Sequence, residues 1–262
     1  MNYTEYYIKC RKNSSFPDIP TLKEFYTNPV GKIPDSKLTS EYFSIIKEVS
    51  LLIKSEFDSI AQDDIMLKCK DVWKYRYYLD KIANYLVPYL ESSIYGCHLY
   101  VDKIYIYRTL PLKERQSSYL WHYDNNPSEI VKNIIYLNEV TEKNSPFEYL
   151  AYPNDKGVIM KPTRTGPTNW RTAKNNSRIT AQELEQYLSD GCKARKLMGK
   201  QGTIYRFNNN VIHRANPIIS GYRDVINIRV KPTIKKLKNY ISTEYTSGFE
   251  KSGAVNPYPD RL

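Results

Sequence analysis

The feature that most constrains this chain is a change of hydrophobic period near residue 98. Ahead of it, Phe43, Ile46, Val49, Leu52, Ile53 and Phe57 recur at helical spacing over 40–57. Leu79, Ile82, Ala83 and Leu86 do the same within a second helix at about 72–92, which Pro88 should kink or end. From His98 onward the period is two. The stretch 98–107 is rich in β-branched and aromatic residues, as a strand requires. Further strands are expected at 118–124, 131–140, 146–152, 202–208, 211–215 and 222–231. Turn sequences such as Asn125-Asn126-Pro127 and Asn208-Asn209-Asn210 join them. Short strands that follow helices without βαβ alternation specify a mainly β fold, an antiparallel double sheet with flanking helices.

A chain of 262 residues fits one domain of this kind, and 41% apolar residues supply a core without disulfide or metal staples. We expect an N-terminal arm and supporting helices over 1–95, and a core of 96–152 and 201–235. A basic insertion over 153–200 and a C-terminal tail, 236–262, draped over the surface, complete the chain. The arm 1–38 carries Pro17, Pro20, Pro29 and Pro34 and has room for at most one short helix. The insertion holds one helix, about 181–190, with a Thr180/Glu183 capping box and Gly191 as its stop. Four cysteines without a C-x-x-C pair read as reduced thiols, and no signal-peptide core precedes them; both point to the cytoplasm. No apolar run approaches the ~20 residues that span a bilayer.

The net charge is +11, and residues 156–200 hold ten Lys/Arg against three acids. Such a balance suits an anionic small molecule or carrier-bound substrate, or a polyanion. A nucleic-acid-binding module is therefore a competing class, since 25 tyrosines could stack on bases. The glycine-aromatic signatures of the common RNA-binding domains are absent from the chain.

Only three histidines occur. His122 and Asp124 stand two apart on an expected strand, so both project from one face. His213 follows the strand 202–208 after a turn. Two imidazoles and a carboxylate on one side of an ion leave coordination positions open, the arrangement of non-haem Fe(II) oxygen chemistry. Arg223, ten residues after His213, can clamp a carboxylate with two parallel hydrogen bonds. Arg229, six residues further on, shares its face and is the runner-up. His98 has no paired ligand nearby and reads as structural. In the basic insertion, Arg164, Trp170 and Arg171, with Lys161 and Lys174, are candidate contacts to an anionic substrate, and the insertion itself is a candidate lid.

Around these residues the chain resembles the phytanoyl-CoA dioxygenase-like branch of the Fe(II)/2-oxoglutarate-dependent oxygenases. The resemblance rests on Trp121-His122-Tyr123-Asp124, on Tyr136-Leu137-Asn138-Glu139-Val140, and on Ser145-Pro146-Phe147-Glu148-Tyr149. His213 and Gly221-Tyr222-Arg223 follow in the family's order, so the match covers about 98–232. It implies a double-stranded β-helix (jelly-roll, cupin-like) core. It also implies His122, Asp124 and His213 as ligands of Fe(II), Arg223 as the partner of 2-oxoglutarate, and O2 as a second co-substrate. The activity implied is hydroxylation or another C–H oxidation that releases succinate and CO2. Asp124 occupies the place that related halogenases leave to a small residue. One position departs: Ala215 stands where a hydroxyl residue often touches 2-oxoglutarate, so Tyr107 or Asn133 is expected to supply a contact instead. The same departure leaves room for a metal-binding cupin-like protein without 2-oxoglutarate turnover.

Overall fold

The computed structural model describes residues 2–17, 27–60, 66–111, 119–161 and 177–248. Helix α1, Tyr3–Lys12, starts on an Asn2/Glu5 capping box and buries Tyr3, Tyr6, Tyr7 and Cys10. Helix α2, Ser40–Asp58, starts on the Thr39 hydroxyl and buries Tyr42, Ile45, Ile46, Val49, Ile53 and Phe57. The expected apolar stripe is rotated by about one residue: Phe43 and Leu52 lie at the surface, and Tyr42 and Ile45 are in the core. Helix α3, Arg76–Leu90, contains Pro88 in its last turn, so the expected disruption falls at the helix end rather than in its middle. It widens into one π turn, Glu91–Tyr95, and stops at Gly96, whose φ of 63° is left-handed.

Nine strands are found among the described residues: six answer to the period-two reading, β1, β2 and β6 are additions, and the strand expected at 118–124 is reduced to isolated bridges at His122. The strands are β1 (Val30–Lys32), β2 (Met66–Lys68), β3 (His98–Thr109), β4 (Val131–Tyr136), β5 (Phe147–Ala151), β6 (Lys193–Leu197), β7 (Ile204–Asn208), β8 (His213–Ala215) and β9 (Arg223–Thr233). They form a six-stranded sheet of order β1-β7-β4-β9-β3-β2 and a three-stranded sheet of order β6-β5-β8. All pairings within the two sheets are antiparallel. Strands β1 and β2 were not anticipated, because three residues are too few to show a period. Strand β6 corrects the view of 153–200 as lying outside the core, since it pairs along the whole of β5. Its helix, α4 (Ala181–Ser189), carries the expected Thr180/Glu183 capping box.

The helices pack on the outer face of the large sheet, where Ile104 and Ile106 of β3 and Ile226, Ile228 and Val230 of β9 join their core. A smaller apolar cluster, including Ile134, Tyr136, Phe147, Phe207 and Val225, fills the space between the two sheets. The tail is less superficial than expected. Ile241, Thr246 and Ser247 are buried, and the backbone carbonyls of Tyr240 and Ser247 accept hydrogen bonds from Val101 and Ile104. This contact covers the free edge of β3 next to its bulge. All four cysteines are buried, and none is in a disulfide. No described helix is long and apolar enough to cross a membrane.

Candidate metal centre

Trp121 is buried in an apolar cluster with Leu150, Ile159 and Ile212, which turns its neighbours His122 and Asp124 toward the inter-sheet space. His122 and His213 sit opposite each other and exchange both backbone hydrogen bonds, at 3.0 and 2.8 Å. Their imidazoles therefore lie side by side, with ring centroids 4.3 Å apart. Asp124 is fixed by its N–H to the carbonyl of Asn209 at 2.8 Å. One ligand atom from each of His122, Asp124 and His213 falls within 4.8 Å of the other two, close enough to share one cation.

Both imidazoles are oriented by the same device. Nδ1 of His122 lies 2.8 Å from the carbonyl of Leu120, and Nδ1 of His213 lies 2.8 Å from that of Val211. A carbonyl only accepts, so each Nδ1 carries the proton and each Nε2 presents a lone pair. Burial pushes the His213 imidazole down to about 3, assisted by the neighbouring His122, and burial lowers His122 as well. Both rings are thus neutral at physiological pH, the form in which imidazole binds a metal. His213 also stacks on Phe147 at 5.1 Å. Burial would raise the Asp124 carboxyl, but Lys132, His213 and His122 together hold it well below the usual carboxylate range. The Lys132 ammonium donates to Asp124 Oδ2 at 2.7 Å.

The triad borders a cavity of about 360 Å³ between the sheets. Lys103, Tyr105, Tyr107 and Thr109 line it from alternate positions of β3, and Lys132 and Ile134 from β4. Arg223 and Asn227 line it from β9. Arg223 is 3% exposed and donates to the carbonyl of Ser145 and, at 3.2 Å, to the Thr109 hydroxyl. Its Nε is buried without a partner. Burial raises the Tyr107 phenol, while Arg223 and a hydrogen bond from Asn227 pull the other way.

Two expectations are corrected. Asn133 has the wrong parity: its amide donates to the carbonyl of Ile228 at 3.0 Å on the far side of β4, and its neighbours Lys132 and Ile134 face the cavity. Arg229 does share the inner face of β9, but its guanidinium is committed to Asp102, with Nε 2.9 Å from Oδ1. Ala215 lines the cavity and brings no hydroxyl. His98 lies 3.6 Å from Glu91 and edge-on to Phe16, away from the triad. Lys161 is paired with Glu183 at 2.8 Å. Arg164, Trp170, Arg171 and Lys174 fall outside the described residues. Sequence reasoning overlooked Lys103, Lys132 and Asn227; the alternation that singles out Tyr107 would have found Lys103, but the other two needed the strand register.

No family model and no curated protein matches the chain. Solved structures do. HygX from Streptomyces hygroscopicus, with nickel and 2-oxoglutarate bound, is 14% identical over 84% of this chain and 89% of its own, with a TM-score of 0.50. EctD from S. alaskensis, with 2-oxoglutarate and 5-hydroxyectoine, is 15% identical over 84% of this chain and 78% of its own, also at 0.50. At such identities the likeness speaks for the fold. The chain has the jelly-roll fold of the Fe(II)/2-oxoglutarate-dependent oxygenases, the fold that its sequence resemblance implies.

Proposed function

We propose that the chain is an Fe(II)- and 2-oxoglutarate-dependent oxygenase acting on a C–H bond of a small-molecule or carrier-bound substrate. The observation that carries this reading is the convergence of two Nε2 lone pairs and one carboxylate on a cavity that also holds a buried guanidinium. The donor set suits the ion: imidazole and carboxylate without a thiolate favour Fe(II) over a structural zinc. His122, Asp124 and His213 would hold it. Arg223 would seat the far carboxylate of 2-oxoglutarate, since its Nε is buried without a partner and each Nη keeps a second N–H beyond its bond to Ser145 or Thr109. Tyr107, tied to Asn227, borders the same space. HygX and EctD, as solved, each hold 2-oxoglutarate, and EctD holds a small organic molecule besides.

With iron bound, the centre would supply one-electron oxygen chemistry, coupling decarboxylation of 2-oxoglutarate to substrate oxidation. The chain's own residues do the rest. The backbone pair between His122 and His213 holds the imidazoles at a set separation. The carbonyls of Leu120 and Val211 keep both Nε2 atoms free of protons. Phe147, Phe207 and Ile134 keep water from the inner wall.

The test is succinate release from 2-oxoglutarate with Fe(II), ascorbate and O2. We expect it from the wild-type chain and not from His122→Ala or Asp124→Ala. Iron binding without 2-oxoglutarate affinity would favour the alternative of a metal-binding jelly roll without turnover, the reading to which Ala215 at the cavity wall lends some weight. The nucleic-acid alternative has fewer stacking groups than the 25 tyrosines suggest, because Tyr3, Tyr6, Tyr7, Tyr42, Tyr95 and Tyr136 are buried, although Tyr77 and Tyr152 are exposed.

A further inference from the structure

The register of the large sheet places Lys103 of β3, Arg229 of β9 and Lys132 of β4 directly opposite one another across three adjacent strands. All three lie on the inner face, and Lys103 and Lys132 line the cavity. Lys231, one step along β9, adds a fourth cation. Like charges directly opposite in a sheet repel. The two acids that answer them are already engaged. Asp102, at the β-bulge between Val101 and Lys103, pairs with Arg229 and, at 3.0 Å, with Lys231. Asp124 takes Lys132, and the proposed ion would draw on the same carboxylate.

Lys103 is left over. No described carboxylate lies within ion-pair distance of it, and its ammonium sits 5.8 Å over the Tyr105 ring. Burial and the nearby Arg229 lower its basicity, with Asp102 opposing. A half-buried cation without a salt-bridge partner, facing a cavity, is the receiving half of an ion pair. Arg223 is six residues from Arg229 on β9, roughly 20 Å along an extended strand. The two cationic positions are therefore too far apart to grip one small carboxylate.

We propose that the Lys103–Arg229–Lys132 row is an anion subsite for the substrate, distinct from the Arg223 seat, with Lys103 as its principal contact. The substrate would carry a carboxylate or phosphate that docks on Lys103 and Lys132. Asn227, one row nearer the Arg223 end, has a buried Oδ1 without a partner and would accept a hydrogen bond from the substrate's hydroxyl or amino group. This assignment rests on the oxygenase reading for the identity of the second ligand. It places specificity on the sheet itself rather than on the basic insertion.

Calorimetric titration of the full chain, kept anaerobic with Fe(II) and saturating 2-oxoglutarate, tests it. The probes are inorganic phosphate and, separately, acetate, and the variants are Lys103→Met and Lys103→Arg. We expect one probe to bind the wild type, roughly tenfold or more weaker binding in Lys103→Met, and recovery in Lys103→Arg. Affinity for 2-oxoglutarate should be the same in all three. The probe that binds names the substrate's acidic group. Equal probe binding in wild type and Lys103→Met, or no binding of either probe by the wild type, overturns the subsite. So does a loss of 2-oxoglutarate affinity in Lys103→Met, because the row would then be the 2-oxoglutarate seat. If the wild type takes up neither iron nor 2-oxoglutarate, the oxygenase reading fails, and the same titrations on the metal-free chain decide the subsite alone. Thermal unfolding of each variant guards against misfolding; removing one charge from a repelling row should leave the midpoint unchanged or raise it.

Discussion

At the scale of single residues, the centre works by removing freedom from groups that are individually ordinary. A histidine on a strand rotates between tautomers unless one nitrogen is claimed, and here a carbonyl two residues earlier claims Nδ1 in both cases. Replacing His213 by Ala or Asp124 by Ala should abolish stoichiometric metal binding, read by metal analysis after desalting. Arg223→Met is a different lesion, because it leaves the triad intact. It should preserve metal uptake while raising the KM for 2-oxoglutarate by roughly two orders of magnitude, the worth of a lost charge-assisted pair. A uniform loss of both properties would mean that Arg223 is needed for the fold instead.

Glu129 shows the opposite situation, a buried carboxyl that accepts a hydrogen bond from a hydroxyl. It is 1% exposed, and Thr4 donates to it at 2.7 Å. Burial raises its pKa, with the Thr4 hydrogen bond opposing. A carboxyl whose folded pKa is raised stabilises the fold while protonated, and that contribution is lost as pH rises through the folded value. Glu129→Gln should therefore raise the thermal midpoint at pH 8, with the gain shrinking as the buffer is taken down toward pH 4.

At the scale of elements, the helices are held to the sheet by contacts that leave little slack. Gly202, just before β7, has a φ of 86°, and a Cβ there would meet the Phe43 ring of α2 at 2.9 Å. Its carbonyl also accepts from Tyr42 of α2 at 2.8 Å. Gly202→Ala combines left-handed strain with a clash and should cost about 1–3 kcal/mol, measurable by urea denaturation. The effect should fall on stability rather than on metal affinity, because Gly202 packs on α2 at the opposite end of this segment from Phe207, the β7 residue whose ring lies against His213.

At the scale of the whole molecule, the cavity exists only because two sheets with different strand orders face each other, one carrying the anion receptors and the other helping to align the triad. Ligands that bind only this folded arrangement stabilise it by mass action. Fe(II) and 2-oxoglutarate, each at a hundredfold excess over its dissociation constant, should together add about 5 kcal/mol, roughly 2.7 from each. The accompanying rise in unfolding midpoint should vanish in Asp124→Ala and persist in Gly202→Ala.

Whatever was written in a local pattern could be read from the chain alone. The helical stripes of α2 and α3, the capping box of α4 and the alternation of β3 depend on residues within a few positions of each other. The shared direction of His122 and Asp124 was expected from a strand at 118–124, and it holds although the structure keeps only isolated bridges at His122 there. The meeting of His122 with His213, ninety-one residues apart in the chain, needed the family resemblance before the structure brought the two together. Asn133 was misassigned by one position because alternation cannot say which face is the inner one until a sheet has packed. The cationic row across β3, β9 and β4 was invisible for a stronger reason. Its members align only through the pairing register of three strands and the bulge at Asp102, and register is set by how the buried faces fit together, not by any one segment.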